Sequence, residues 1–320
     1  MHTPAIAIVI PAWNAGRFLN EAIDSVCAQT ITDWECVIVD DGSTDDTASK
    51  IATYLDSRIQ SVRQDRVGEC AARMRGLSLT RAPKIVFLDA DDRLYPNTCA
   101  RYVNFLDSNP TVGVAYGERT LIDENGCRLG FGSNALLNKY PQGDILESIL
   151  RRPFLSTPSQ ACLRREAVHR LEYKGPMGDW VLLAAAALTH KFAYAGRAPM
   201  VEYRVWSSSF LRNLARDSQP PASIGEFSEM LHYLFSSSAI ASRFGATKLA
   251  ELRRAAEASC FAIKGQEFLR CRKPLAARRY FNAAIRAGSR DSRDLLCWAA
   301  TFSPAILRLT GPLYGAIDAA

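Results

Sequence analysis

The stretch that most constrains the fold is KIVFLDADDRLYP, residues 84–96, where an apolar run meets a concentration of acids. Ile85, Val86, Phe87 and Leu88 carry no polar side chain, the pattern of a strand buried on both faces. Asp89, Asp91 and Asp92 follow at once, and ionised carboxylates do not stay in an apolar core without partners. The strand must leave the core and end on a rim where negative charge has a use. Two earlier apolar runs also end abruptly. AIAIVI (5–10) runs into Pro11-Ala12-Trp13-Asn14, and ECVIVD (35–40) runs into Asp41-Gly42-Ser43.

Segments with helical spacing separate these strands: FLNEAIDSVCAQ (18–29), STDDTASKIATYLD (43–56) and a helix near 68–80. Ser43 or Thr44 is the expected N-cap of the second, with acids in its first turn. A weak strand is expected near 58–63. This alternation predicts a doubly wound, mostly parallel α/β sheet with helices on both faces. Such sheets bind ligands beyond the carboxyl ends of their strands, so the ends of strands one, two and four share one edge. A rim this acidic repels itself unless a cation sits in it. Mg²⁺ or Mn²⁺ suits the role, since either bridges a diphosphate to one or two carboxylates.

Past residue 110 the pattern changes. VGVAYGERTLID and CRLGFG read as a hairpin with its turn at Glu124–Gly126. A helix at 144–152, a short strand near 159–163, a strong helix at 178–190 and a strand at 200–206 follow. The polar, Pro-containing break at 207–223 marks a boundary. It separates a domain over 1–212 from an all-helical extension over 213–320. Within the extension AAEASCFAIKGQEFL and PLAARRYFNAAIRAG suggest a helical hairpin.

Composition narrows the class. At 48% hydrophobic and 22% charged, the chain is an ordinary globular one. Nine cysteines stand singly without metal-ligand spacing, which favours reduced thiols and a cytoplasmic setting. The four histidines are dispersed, against a zinc site. The start MHTPAIAIVIPAW has no secretory character, and no apolar run nears the ~20 residues of a membrane span. Neither GxGxxG after the first strand nor a Walker A sequence is present, against NAD enzymes and P-loop NTPases. The net charge of +6 is concentrated from Arg243 onward, where it either solvates helix faces or meets anionic lipid. Thin aromatic interleaving argues against nucleic acid as a partner.

The combination is more specific than its parts. IAIVIPAWNAGRFLNEAIDSVCAQTITDWECVIVDDGSTDDT and GECAARMRGLSLTRAPKIVFLDADD together resemble the family 2 glycosyltransferases of GT-A fold. The resemblance is strong over residues 5–110 and looser to about 210. It implies an inverting, metal-dependent enzyme that moves a sugar from a nucleotide-sugar donor to a saccharide or lipid-linked acceptor. The usual setting is bacterial surface polysaccharide or lipopolysaccharide assembly in the cytoplasm. Contact with the inner face of the cell membrane would come through the basic helical tail and the terminal FSPAILRLTGPLYGAI.

Residue by residue, the resemblance places Pro11, Trp13 and Asp41 at the nucleotide. Asp41 would accept the imide N–H of uracil; thymine offers the same group and guanine a comparable one, so UDP is favoured without being fixed. Arg73 matches an Arg near the base or phosphates, although Met74 stands where the family has Asn. Asp89 and Asp91 form the DxD pair, Asp91 on the metal and Asp89 at the ribose or the metal shell. Asp92 shapes the loop or touches the sugar. In MGDWVLLAAA, Asp179 matches the catalytic base, while Gly178 and Val181 replace customary acids. The structural alternative for Asp179 is a helix N-cap. Tyr203-Arg204-Val205-Trp206 departs from Tyr-Arg-Val-His, and Trp206 with Ser207–Phe210 would close over the donor. A sugar-nucleotidyltransferase stays open as another class, though Trp13–Arg17 makes a poor triphosphate loop. So does a non-catalytic nucleotide-sugar binder.

Overall fold

The computed structural model describes residues 2–131, 140–168, 172–175, 177–206, 225–271 and 273–302. They group into two compact units, one drawn from 1–119, 140–146 and 155–203, the other from 120–139, 147–154 and 204–320. The closing segment Ser207–Phe210, the break at 207–223 and most of the terminal FSPAILRLTGPLYGAI lie outside the described residues.

In the first unit the apolar runs form strands β1 (Ile6–Ala12), β2 (Trp34–Asp41), β3 (Ile59–Gln64) and β4 (Lys84–Phe87). They lie parallel in the order β3-β2-β1-β4, with Ile8 level with both Cys36 and Val86. The short β5 (Arg93–Leu94) follows, then β6 (Val112–Ile122), β7 (Arg128–Phe131), β8 (Ala161–Arg164) and β9 (Lys191–Arg204). The sheet continues from β4 through β8, β6 and β9 to β5, and β4–β8, β6–β8 and β5–β9 are antiparallel. The sheet is therefore mixed. Of its four parallel strands, β2 and β4 run into the acids.

Both faces of the parallel part are covered, which is why its strands read as continuous apolar runs. Ile6, Ile8 and Ile10 pack with Leu19, Ala22, Ile23 and Val26 of α1 (Leu19–Cys27) and with Tyr102 and Leu106 of α4 (Thr98–Ser108). On the opposite face Val37 and Val39 pack with Ala72 of α3 (Glu69–Leu79). Each such side chain, fully buried, contributes about 1.5–3 kcal/mol before the entropy of ordering is subtracted.

Two expectations need correction. The helix expected at 43–56 is only α2 (Thr47–Ile51), and neither Ser43 nor Thr44 caps it. Both are engaged by the loop after β1 instead. The strand expected at 200–206 begins at Lys191 and runs 14 residues as β9. Two further helices are α5 (Leu146–Arg151) and, after the turn at Pro158–Gln160, α6 (Gly178–Ala187).

The second unit contains the end of β6 and β7, joined by a turn in which the Gly126 N–H donates to the Asp123 carbonyl. It also contains α7 (Gly225–Phe235), α8 (Ser238–Arg243), α9 (Ala246–Arg270), α10 (Pro274–Arg286) and α11 (Ser292–Ala300). The expected helical hairpin is α9 and α10, packed through Ala262, Phe268, Leu269, Tyr280, Phe281 and Ala284. Among the described residues no helix is long and apolar enough to cross a membrane.

Candidate active site

The loop after β1 is fastened to the segment after β2. Asn14 takes φ 47, in the left-handed region that Asn tolerates. Its N–H donates to Ser43 Oγ (2.9 Å), and its Oδ1 accepts from the Thr44 N–H (2.8 Å). Ala15 N–H donates to Thr47 Oγ1 (2.9 Å), and Gly16 N–H to Asp45 Oδ2 (3.0 Å). These bonds use the hydroxyls and acids of DDGSTDDT and explain why the helix there starts late. Pro11 is buried within β1, and Trp13 is 45% exposed at its end.

Asp41, the last residue of β2, is buried and anchors the entry to α3. Its Oδ1 accepts from Gln64 Nε2 (2.8 Å) and the Val67 N–H (3.0 Å), and its Oδ2 from the Gly68 N–H (2.9 Å). Gly42 has φ +74, and a Cβ there would come within 2.9 Å of the Arg66 backbone nitrogen. The close passage of the two segments thus depends on glycine. Arg66 in turn lies over the Trp13 ring, 3.4 Å from its centroid. Asp40 points elsewhere, accepting from the Ser43 N–H (2.8 Å) and from Arg63 Nη1 (3.0 Å).

The antiparallel pairing of β4 with β8 brings the turn before β8 against the acidic loop. Asp89 N–H donates to Ser159 Oγ (3.0 Å). Thr157 Oγ1 lies 2.8 Å from Asp89 Oδ2 and 3.0 Å from Asp92 Oδ2, and donates to one at a time. The other Asp89 oxygen, Oδ1, accepts from Arg73 Nη2 (2.9 Å). Asp92 is fully buried, whereas Asp91 is half-buried on the rim. Both oxygens of Asp89 are therefore committed to the protein.

Arg73 is buried on α3, and its Nη2 also pairs with Glu69. Burial alone would lower its pKa, but the charges of Glu69 and Asp89 raise it, so it stays firmly cationic. Its Nε and Nη1 are buried without a hydrogen-bond partner. The Glu69 side chain is 56% exposed, yet protein groups crowd its carboxyl. That crowding pushes its carboxyl up to about 7, against Arg73 and assisted by Asp89, Asp179 and Asp91.

Asp179 sits in the first turn of α6, half-buried, and is not the cap. That position belongs to Met177, at φ 60. Burial raises the Asp179 pKa and Asp89 adds to it, while Arg73 and the Trp180 amide pull the other way. Beside it, a Cβ on Gly178 would overlap Cys70 Sγ on α3. The start of α3 is thus the common point. Asp41 holds the Val67 and Gly68 amides that lead into it, Cys70 meets Gly178, and Arg73 reaches Asp89.

Sequence reasoning named Trp13, Asp41, Arg73, Asp89 and Asp179, and all belong to this unit. It passed over Thr157, Glu69, Cys70 and Arg66. Thr157 caps its own turn, accepting from the Ser159 N–H (3.1 Å), a signal legible as Thr-Pro-Ser, but its link to Asp89 spans 68 positions. Among the described residues no three His, Cys, Asp or Glu side chains are placed to hold a metal by themselves. Hard carboxylate oxygens at Asp91, with Asp89 close by, suit a cation completed by phosphate oxygens and water.

The match to the model described as Glycosyl transferase family 2 runs over residues 7–171. The chain belongs to that family. An uncharacterised glycosyltransferase of Nostoc is 30% identical over 203 residues, 60% of either chain. A PGL/p-HBAD biosynthesis glycosyltransferase of Mycobacterium tuberculosis is 36% identical over 122 residues, 37% of this chain and 48% of that one. This chain thus spans about half to three fifths of the length of these relatives. Among solved structures, Staphylococcus aureus TarS 1–349 in complex with UDP-GlcNAc has a TM-score of 0.61 at 13% identity, covering 98% of this chain and 93% of that one. The mannosyltransferase PcManGT of Pyrobaculum calidifontis, in complex with GDP-Man and Mn²⁺, has a TM-score of 0.55 at 20% identity, covering 98% and 85%. The fold is that of GT-A enzymes.

Proposed function

We propose that this chain is a glycosyltransferase that inverts the anomeric carbon of a nucleotide-sugar donor, with Asp179 as general base and Asp91 as the protein's metal ligand. The observation that carries the reading is Arg73. From one helix it ties down Asp89, while its neighbour Cys70 abuts the turn that presents Asp179. The acceptor hydroxyl attacks the anomeric carbon in line, and Asp179 takes its proton as the new C–O bond forms. The bond to the diphosphate breaks, and the nucleoside diphosphate leaves with the electron pair. When bound, Mg²⁺ or Mn²⁺ offsets the charge of that leaving group. Arg73 keeps Asp89 oriented at the ribose or the metal's outer shell.

For the nucleotide, Trp13 offers an exposed ring and Pro11 a rigid strand end beside it. Asp41 uses three acceptor positions on its own chain, which leaves one at Oδ2 for an imide N–H. UDP is the base choice that this supports. The acceptor is a saccharide or lipid-linked saccharide of surface-polysaccharide or lipopolysaccharide assembly. The enzyme works in the cytoplasm, its basic helices resting on the inner face of the cell membrane. A boundary near 212 separates the transfer domain from that helical extension.

The test is a thermal-shift panel of nucleotide sugars with and without Mn²⁺, followed by Asp179→Asn. A bound donor raises the melting temperature by mass action. The Asn variant should keep that shift and lose turnover by about 10²–10⁴-fold. Indifference to every donor, or full activity in the variant, overturns the reading.

A further inference from the structure

The acid that α6 lacks at Gly178 has a counterpart on α3. Cys70 fills the space beside Gly178. The residue before it, Glu69, places a carboxylate whose Oε1 is paired with Arg73 Nη2. The same nitrogen donates to Asp89 Oδ1 at 2.9 Å. Through Arg73 and Cys70, Glu69 is thus tied to both the acidic loop and the start of α6, and the charges of Asp89, Asp179 and Asp91 act on its carboxyl. Its second oxygen, Oε2, accepts no hydrogen bond among the described residues, and the side chain is 56% exposed. The Arg73 guanidinium that fixes it is 2% exposed and leaves Nε and Nη1 unpartnered.

In-line transfer dictates the order of parts along such a site. The leaving diphosphate lies at the 89–92 loop, the attacking hydroxyl at Asp179, and the transferred ring between them. Glu69 occupies the middle. Ionised, as it is above about pH 7, a carboxylate with one oxygen pinned and the other open accepts hydroxyl hydrogens strongly, donates none, and repels a second carboxylate. We infer that Glu69 recognises hydroxyls of the transferred sugar and selects donors carrying a neutral sugar over donors carrying a uronic acid. The inference rests on the donor and base roles proposed above for Asp89, Asp91 and Asp179.

The test measures Kd by calorimetry at pH 8, where Glu69 is ionised, on the full chain with Mn²⁺, for UDP, UDP-glucose and UDP-glucuronic acid. GDP, GDP-mannose and GDP-mannuronic acid replace them if guanosine is the base bound. For the wild type, the neutral donor should bind more tightly than the bare diphosphate, and the uronate donor about tenfold more weakly than the neutral one. In Glu69→Gln, which keeps the shape and an acceptor for Arg73, the neutral sugar's advantage should fall about tenfold. The gap between the two donors should close to about twofold. If Glu69→Gln retains both ratios, or the wild type binds the uronate donor as tightly as the neutral one, the inference is overturned while the donor site stands. If the wild type binds no nucleotide diphosphate at all, the donor-site reading falls and takes the inference with it.

Discussion

Gly178 shows how one missing side chain is absorbed by its surroundings. Any Cβ there would overlap Cys70 Sγ, and Cys70 is itself buried. Gly178→Ala should therefore destabilise the protein by about 1–3 kcal/mol through overpacking. Combining it with Cys70→Gly should recover most of that loss. Chemical denaturation of the two single variants and the double variant reads the coupling directly; strict additivity would refute the packing account. Asp41 is a second such position. Asp41→Asn replaces one acceptor oxygen with an NH₂ that faces backbone donors at Val67 or Gly68. Leaving a buried donor unmatched costs about 1–3 kcal/mol, so a lowered melting temperature and weakened donor affinity should appear together. Normal stability with lost affinity would instead make Asp41 purely a ligand group.

At the scale of elements, the helix caps carry a pH-dependent contribution. Asp291 caps α11, accepting from the Arg293 N–H at 2.9 Å and pairing with Arg293 Nη2 at 2.7 Å. Burial would raise its pKa, but the Arg293 hydrogen bonds and the Arg152 charge hold the carboxyl far below the usual range. Its folded pKa lies under the unfolded value of about 3.9, so its stabilisation is complete above that pH and disappears as pH falls towards the folded value. Asp291→Asn should cost about 1 kcal/mol at neutral pH and flatten the loss of stability between about pH 5 and 2. Thermal melts across that range check the slope, and parallel curves for the two proteins would contradict it. The elements themselves were unevenly legible. β1, β2 and β4 stood out because burial on both faces leaves no polar positions to interrupt the run. The helix after β2 was overextended because Ser43, Thr44, Asp45 and Thr47 look like cap residues in sequence. In the fold, Ser43, Asp45 and Thr47 accept from the loop at 14–16, and the Thr44 N–H donates to Asn14. β9 was underestimated because half-exposed residues and a proline weaken its pattern, while its partner β5 is only two residues long.

At the scale of the whole molecule, the helical unit offers an uneven surface. Leu275 is 70% exposed and Phe302 55%, with Leu295 and Leu296 open nearby in sequence on α11. Arg278 lies 3.6 Å from the centre of the Phe302 ring, and Arg279, Arg286 and Arg290 are exposed. Basic and apolar groups mixed in this way suit an anionic lipid surface. The protein should co-sediment with vesicles containing phosphatidylglycerol and not with phosphatidylcholine alone, and high salt should release it. Arg279→Glu with Arg290→Glu should reduce binding severalfold. Retention on neutral vesicles, or indifference to both changes, would dismiss a lipid-facing role.

The sequence by itself determined the family, the parallel strands and the acids at their ends, because those are local patterns: apolar runs with polar interruptions at fixed places. It also named Asp41, Arg73, Asp89 and Asp179 without showing what joins them. Only the tertiary structure decided that α3 is the joint, with Thr157 brought to Asp89 by antiparallel pairing, Cys70 filling the gap at Gly178, and Glu69 paired with the Arg73 that holds Asp89. Contacts between residues scores of positions apart leave no periodicity in a chain, since each depends on how strands pair and helices dock.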